Sequence, residues 1–280
     1  LVGVSWLHAV SLEGTARLEE EPHPFGAMSE KRPDSSHVLD EHYRSLADDY
    51  DEFLYYSPGF VRKLTTRMID HLRLDEGDRF ADIGCGTGIY SLDILEQVDL
   101  EQPILGVDPY PEMLAAIPDQ AHIEPIATTA LEFSRQDRSY DKVLIKEGIH
   151  HVRERPEFFS NVHARLPDGG RMLLVHVPPD VDYPLFEAAL ERCLNWHADP
   201  DELATQLAAA GFEVERDAVD IQHDLPTSHY LKMVEHCYMS VLTSFEPEEL
   251  EAGLEEMRGR YGHLDSLQFV DHFDYLVAIK

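Results

Sequence analysis

About a third of the way along the chain, Asp82-Ile83-Gly84-Cys85-Gly86-Thr87-Gly88 sets an acidic residue just ahead of three alternating glycines. The apolar run Arg79 to Ile83 leads in and a helical pattern follows, so the glycines occupy a strand-to-helix turn. Glycine is needed where the chain turns sharply and a ligand must approach the backbone, because a Cβ would collide. The first amides of the following helix then face that ligand. The spacing is GxGxG, not the GxGxxG of nicotinamide-binding turns, and a carboxylate at Asp82 sits badly beside a pyrophosphate. It suits a ligand that is cationic at one end. A second acid ends the next strand: Gly106-Val107-Asp108 puts a carboxylate 24 residues after Gly84, where two adjacent ribose hydroxyls can donate to it.

A second group of ionisable residues lies at Lys146-Glu147-Gly148-Ile149-His150-His151, where another apolar strand ends. In a doubly wound sheet that end borders the ligand crevice. His150 and His151 have the chemistry of a general base near neutral pH, and Glu147 that of a proton acceptor or an orienting group. The competing use of the histidines is to cap the next helix and fill space. Lys146 is one of only six lysines in the chain; it suits a carboxylate on cofactor or substrate, or a buried pair with Glu147. Farther on, His229, Tyr230, Lys232, Met233, His236, Tyr238 and Met239 give one helical stretch an aromatic and polar character. That fits a pocket wall or packing against a sheet. Cys193 with His197, and His236 with Cys237, lack a recognised ligand frame, so no metal site is expected.

Short apolar runs alternating with helical patterns position these groups, the signature of βαβ units and a mostly parallel sheet. Strands are predicted at Arg79 to Ile83, Pro103 to Val107, His122 to Ile126, Asp141 to Lys146 and Arg171 to Val177, with helices starting near Thr87, Pro111, Thr129 and Arg155. Helices are also expected at His37 to Tyr56, Phe60 to Leu72, Pro184 to Asn195 and Pro200 to Ala210. A sixth strand is predicted from Gly211-Phe212 through Val219 and a last one near Phe269 to Ile279. Between them, roughly 45 residues carry helical patterns at His229 to Thr243 and Pro247 to Tyr261, and an insertion that long is expected to carry function. The domain boundaries read as a poorly ordered tail over residues 1–36, with Met28 a candidate start, and one catalytic domain over 37–280 whose residues 222–266 form a helical cap.

With Asp82 to Gly88, Val107-Asp108 and Tyr140-Asp141-Lys142-Val143-Leu144 in place, the chain resembles the class I S-adenosylmethionine-dependent methyltransferases from about Tyr43 to Lys280. The resemblance implies a Rossmann-like α/β fold: a doubly wound, seven-stranded, mostly parallel sheet with its last strand antiparallel, N-terminal helices and a helical insertion over the substrate. It implies S-adenosylmethionine as cofactor, leaving as S-adenosylhomocysteine, held by Asp82, Gly84, Gly86, Gly88 and Asp108. Pro109 to Leu114 is similar to the segment whose methionine packs near the adenine, which makes Met113 a candidate beside its ordinary use in helix packing. Tyr50-Asp51 is similar to the Tyr-Asp pair of a helix that closes over the cofactor, so Tyr50, and with it Tyr43, is a candidate for the methionine end. Where many relatives have Asp-Ala near the adenine, this chain has Thr128-Thr129-Ala130, leaving Thr129 as the candidate there.

The net charge is −31, with 54 acidic side chains against 23 basic ones. That field repels phosphate backbones and argues against nucleic acid as partner; an acidic, lysine-poor surface is also what salt-adapted proteins carry. No run approaches the roughly 20 apolar residues of a membrane span, and the three cysteines lack disulfide or zinc spacing. A cytoplasmic enzyme acting on a small molecule is expected, with nothing to fix its oligomeric state. Two alternatives share the strand, glycine turn and ribose acid: a nicotinamide-dependent oxidoreductase, and a non-catalytic or cyclase-type protein that retains the cofactor site.

Overall fold

A computed structural model describes residues 59–280. The expected tail, the helix at His37 to Tyr56, and with it Tyr43 and Tyr50, lie outside the described residues. The first described helix, α1 (Phe60–Leu72), starts at Gly59 and buries Phe60, Val61, Leu64, Thr65, Met68 and Leu72. The spacing of three and four gives it one apolar face.

Five strand–helix alternations follow: β1 (Phe80–Ile83), α2 (Ile89–Leu95), β2 (Ile104–Asp108), α3 (Pro111–Leu114), β3 (Ile123–Ala127), α4 (Ala130–Arg135), β4 (Lys142–Lys146), a 3-10 turn (Ile149–His151), α5 (Arg155–Arg165) and β5 (Arg171–His176). Then come α6 (Glu187–Trp196), α7 (Pro200–Ala209), β6 (Glu213–Pro226), α8 (Thr227–Glu235), a second 3-10 turn (Ser240–Ser244), α9 (Pro247–Tyr261) and β7 (Ser266–Ile279). The seven strands form one sheet in the order β3-β2-β1-β4-β5-β7-β6. Strands β1 to β5 pair in parallel, while β7 runs antiparallel to both β5 and β6. The chain order reverses between β1 and β4, so the crevice beyond their carboxyl ends is where a ligand is expected in such a sheet.

Both faces of the sheet are covered. Leu173 and Val175 of β5 point into a core shared with α1, α2, α6 and the helices between β6 and β7. Met172 and Leu174, the alternate residues, point into a second core built with α4, α5 and α7. No described helix is long and apolar enough to cross a membrane.

The last two strands are longer than their sequence predicts. β6 extends to Pro226 and β7 begins at Ser266, in register over their whole length from Glu213↔Ile279 to Pro226↔Ser266. Along the extension Val219, Ile221, His223 and Leu225 are buried, as are Leu267, Phe269, Asp271 and Phe273 opposite. The period of two is intact, but it includes a histidine and an aspartate, which hides it from a hydrophobicity pattern. The helix expected through Thr243 ends at Glu235. Tyr238 N–H donates to Met233 O and Cys237 N–H to Val234 O, with Cys237 left-handed at φ 52°, a helix stop of the Schellman type without its usual glycine.

Candidate active site

The turn between β1 and α2 is held from three sides. Gly84, Gly86 and Gly88 all have positive φ, at 79°, 56° and 79°, a region that side chains with a Cβ enter at a cost. The amides of Gly84 and Cys85 donate to Val107 O at 2.7 and 3.1 Å, tying the turn to the end of β2. A Cβ on Gly86 would lie 3.3 Å from Met113 Cε, and one on Gly88 3.0 Å from Ile117 Cγ1. Met113 is buried, packed under the glycine turn.

Asp82, one residue before the end of β1, and Asp108, the last residue of β2, are both buried. Ser91, on the first turns of α2, donates to Asp82 Oδ2 at 2.7 Å, so the helix leaving the turn holds the acid at its entrance. Burial raises the Asp82 pKa to about 6; the Ser91 hydrogen bond works against this and the Asp108 charge adds to it. Asp108 accepts from Gly86 N–H at Oδ2 and from Tyr110 N–H at Oδ1, both at 2.9 Å. Its pKa is also raised by burial, against the pull of those two amides. Thr129 is the N-cap of α4 and accepts from Glu132 N–H at 3.2 Å. Its oxygen is already engaged as an acceptor, which leaves the hydroxyl proton for any ligand.

Gly148 brings the end of β4 against this turn, its Cα 3.8 Å from where a Cβ on Gly84 would stand. Just before it, the Lys146 ammonium lies 4.8 Å from the centre of the Tyr90 ring and 5.3 Å from that of Phe273. Burial disfavours its charge, but Tyr90, Glu147 and Asp271 outweigh that and raise its pKa. The expected Lys146–Glu147 pairing is thus one part of a wider electrostatic group that includes an aromatic seat. Glu147 has φ 55°, and its Oε1 accepts from Val177 N–H at 2.6 Å.

The two histidines separate. His151 is exposed, while His150 is buried with its ring centre 4.1 Å from that of His151 and 5.6 Å from that of His197. Burial first, then the neighbouring imidazoles and Arg155, press the His150 pKa well below the ordinary histidine value. His197 follows α6 and is pushed down to about 4 by burial. The fold therefore gathers Glu147, His150 and His197 so that one donor atom from each lies within 4.8 Å of the others. His197 meets these partners from the end of β4 and not the neighbouring Cys193, a grouping that sequence spacing does not reveal.

On the opposite face, His223 Nε2 and Asp271 Oδ2 are 2.9 Å apart and fully buried, and Tyr230 Oη and Tyr238 Oη are 3.0 Å apart. Of the stretch expected to form a pocket wall, Tyr230, Met233 and Tyr238 are buried, whereas Lys232 and His236 are exposed. Sequence reasoning missed Ser91, Tyr90, His176, His223 and Asp271. For Ser91 and Tyr90 a signal existed, a hydroxyl and a phenol within one turn of the glycines; the others meet the site only through long-range pairing.

The sequence profile of a family described as a methyltransferase domain matches residues 50–217. Among curated relatives, the ubiquinone/menaquinone biosynthesis C-methyltransferase UbiE of Geotalea uraniireducens is 29% identical over 52% of this chain and 65% of its own length. Phosphoethanolamine N-methyltransferase 3 of Arabidopsis thaliana is 24% identical over 56% of this chain and 34% of its own. The chain thus spans from about a third to just under two thirds of these relatives. Among solved structures, phosphoethanolamine N-methyltransferase 2 of Haemonchus contortus, bound to phosphomonomethylethanolamine and S-adenosylhomocysteine, superposes with a TM-score of 0.58 at 18% identity, covering 87% of this chain and 59% of the other. The [4+2]-cyclase SpnF shares the fold at a TM-score of 0.54 and 19% identity, covering 78% of this chain and 80% of its own. A methyltransferase profile across more than half of the chain displaces the nicotinamide alternative, and the chain belongs to the class I S-adenosylmethionine-dependent methyltransferases, with S-adenosylmethionine as its cofactor.

Proposed function

We propose that this protein transfers a methyl group from S-adenosylmethionine to a small molecule held beyond the carboxyl ends of β4 and β5. The observation that carries the reading is Asp108, a buried carboxylate fixed by two backbone amides at the rim of a three-glycine turn. Each oxygen keeps a lone pair for a ribose hydroxyl. Asp82 supplies negative charge where the amino-acid end of the cofactor is cationic, and Gly84, Gly86 and Gly88 leave the turn free of side chains. Met113 lies under the turn, on the side expected for the adenine. The bound cofactor supplies a methyl group activated on a sulfonium.

The chain's own task is alignment of the acceptor and exclusion of water. Where the acceptor must lose a proton, exposed His151 is the group placed to take it, with Glu147 and Lys146 orienting polar groups on the acceptor. Three considerations support a small acceptor: the strongly acidic surface, the buried aromatic wall of Tyr230, Tyr238 and Phe269 beneath the inserted helices, and the small-molecule substrates named for the relatives.

Calorimetric titration with S-adenosylmethionine, S-adenosylhomocysteine and NADH, in low and in molar salt, tests the site. The first two bind and NADH does not. Asp108→Ala weakens their binding by about 1–3 kcal/mol through lost buried hydrogen bonds; unchanged affinity overturns the cofactor geometry. Release of S-adenosylhomocysteine and a methyl-labelled product from a small-molecule extract then separates a transferase from a cyclase or a binder, which yields neither.

A further inference from the structure

We infer that Glu147, His150 and His197 form a mononuclear site for a divalent transition-metal cation of the zinc type, beside the methyl-transfer crevice and separate from the cofactor-holding residues. Two imidazoles and one carboxylate offer donor atoms within 4.8 Å of one another. Zinc holds such donors tetrahedrally at about 2.0–2.2 Å, so two ligands on one ion stand about 3.3–3.6 Å apart, and side-chain rotations that bring the donor atoms together by up to about 1.5 Å close the set. The donor set, two nitrogens and one oxygen, is the borderline one that zinc, iron(II) and nickel(II) share.

A second observation points the same way. His150 Nε2 and both ring nitrogens of His197 are buried without a hydrogen-bond partner, and His150 is only 7% exposed. A buried nitrogen left unpaired forfeits its hydration with nothing in return, and native interiors seldom leave several together. A cation gives these nitrogens the partner they lack. Glu147 has one oxygen on Val177 N–H at 2.6 Å and keeps the other for the ion, and its left-handed backbone, at φ 55°, is a conformation that persists where the surroundings over-determine it. Three protein ligands leave a fourth position open, as in catalytic rather than structural zinc sites, for water or for an oxygen or nitrogen of the acceptor. His176, whose Nε2 is also buried without a partner, stands outside the three-ligand set.

The test uses the full chain stripped with EDTA and titrated calorimetrically with zinc chloride, with cobalt(II) as a spectroscopic probe. One saturable zinc site per chain and visible cobalt bands of a low-coordinate site are expected. His197→Ala and Glu147→Gln each weaken zinc binding at least about tenfold and abolish the cobalt bands, while His272→Ala, which removes an exposed imidazole, leaves both unchanged. Circular dichroism checks folding, and His197→Asn replaces the alanine variant if that fails to fold. Absence of a saturable site, or a site indifferent to both His197 and Glu147 variants, overturns the inference. The readout needs neither cofactor nor methyl transfer, so its failure leaves the proposed activity standing.

Discussion

The ends of β1 and β2 and the ends of β4 and β5 border the same crevice, yet their buried polar groups are treated in opposite ways. On the glycine side, Asp82 has Ser91 and Asp108 has two amides. On the histidine side, nitrogens of His150, His176 and His197 are buried without partners. The first arrangement is rigid before any ligand arrives, which lowers the entropic cost of binding. The second holds buried imidazoles in their neutral form, with nitrogens that no protein group satisfies, an arrangement that is costly until a partner completes it. The contrast separates a site built to receive a constant cofactor from one whose chemistry is finished by an added partner.

The sharpest way to break this comparison is pH, because the buried imidazoles and the buried carboxylates titrate with opposite signs. An unfolded histidine protonates near its ordinary value of 6.5, folded His197 only at about 4. As pH falls the unfolded state takes the proton first, so stability present above about 6.5 is lost progressively down to about 4, a change of about 3 kcal/mol. The buried carboxylates Asp82, Asp108 and Glu147, with raised pKa values, take protons first in the folded state and so gain stability on acidification. Replacing His197 by leucine removes one contribution and leaves the others. Urea unfolding of both proteins in EDTA from pH 7 to pH 4 is therefore expected to shift their stability difference by about 3 kcal/mol in favour of His197→Leu. Parallel curves would mean that the imidazoles are solvated after all.

A smaller effect sharpens the glycine side. Ser91→Ala removes the one side-chain donor to Asp82 Oδ2 among the described residues, which costs about 2 kcal/mol of stability in urea at neutral pH. It also raises the Asp82 pKa further, since that bond is what holds it down. Cofactor affinity in the variant, measured by calorimetry, is then expected to fall more steeply below pH 7 than in the parent. A parallel fall would show that the Asp82 charge is not what the cofactor meets.

The glycine side was legible because its determinants are local: Gly84, Gly86 and Gly88 follow one strand, and Asp108 ends the next, so spacing carries the geometry. The parallel half of the sheet was legible for a similar reason, as each strand is a short apolar run between helices. The histidine cluster was half legible. Glu147 and His150 stand together in sequence, but His197 joins them only because the segment after α6 comes against the residues that follow β4, a contact no spacing rule reports. The β6–β7 extension stayed hidden because His223 and Asp271 occupy inward positions and satisfy each other across the strands, so the alternation is one of burial, not of hydrophobicity. In the inserted helices the stop at Cys237 carries no glycine, and the helical pattern reads straight through it.

Thr129 offers the finest test of the difference between a preorganised group and a ligand-completed one. Its sequence position pointed to the adenine, while its oxygen caps α4 by accepting from Glu132 N–H. If the cap is its main use, Thr129→Ala lowers stability by about 1 kcal/mol in urea and leaves S-adenosylmethionine affinity within about twofold, because the loss of an exposed cap is shared by free and bound protein. Thr129→Ser, which keeps the capping oxygen, then restores stability. Should alanine instead weaken cofactor binding while serine rescues it, the hydroxyl proton reaches the ligand, and Thr129 does for the adenine what the missing aspartate does in relatives. The two outcomes differ in which measurement moves, stability or affinity, so one pair of variants decides between them.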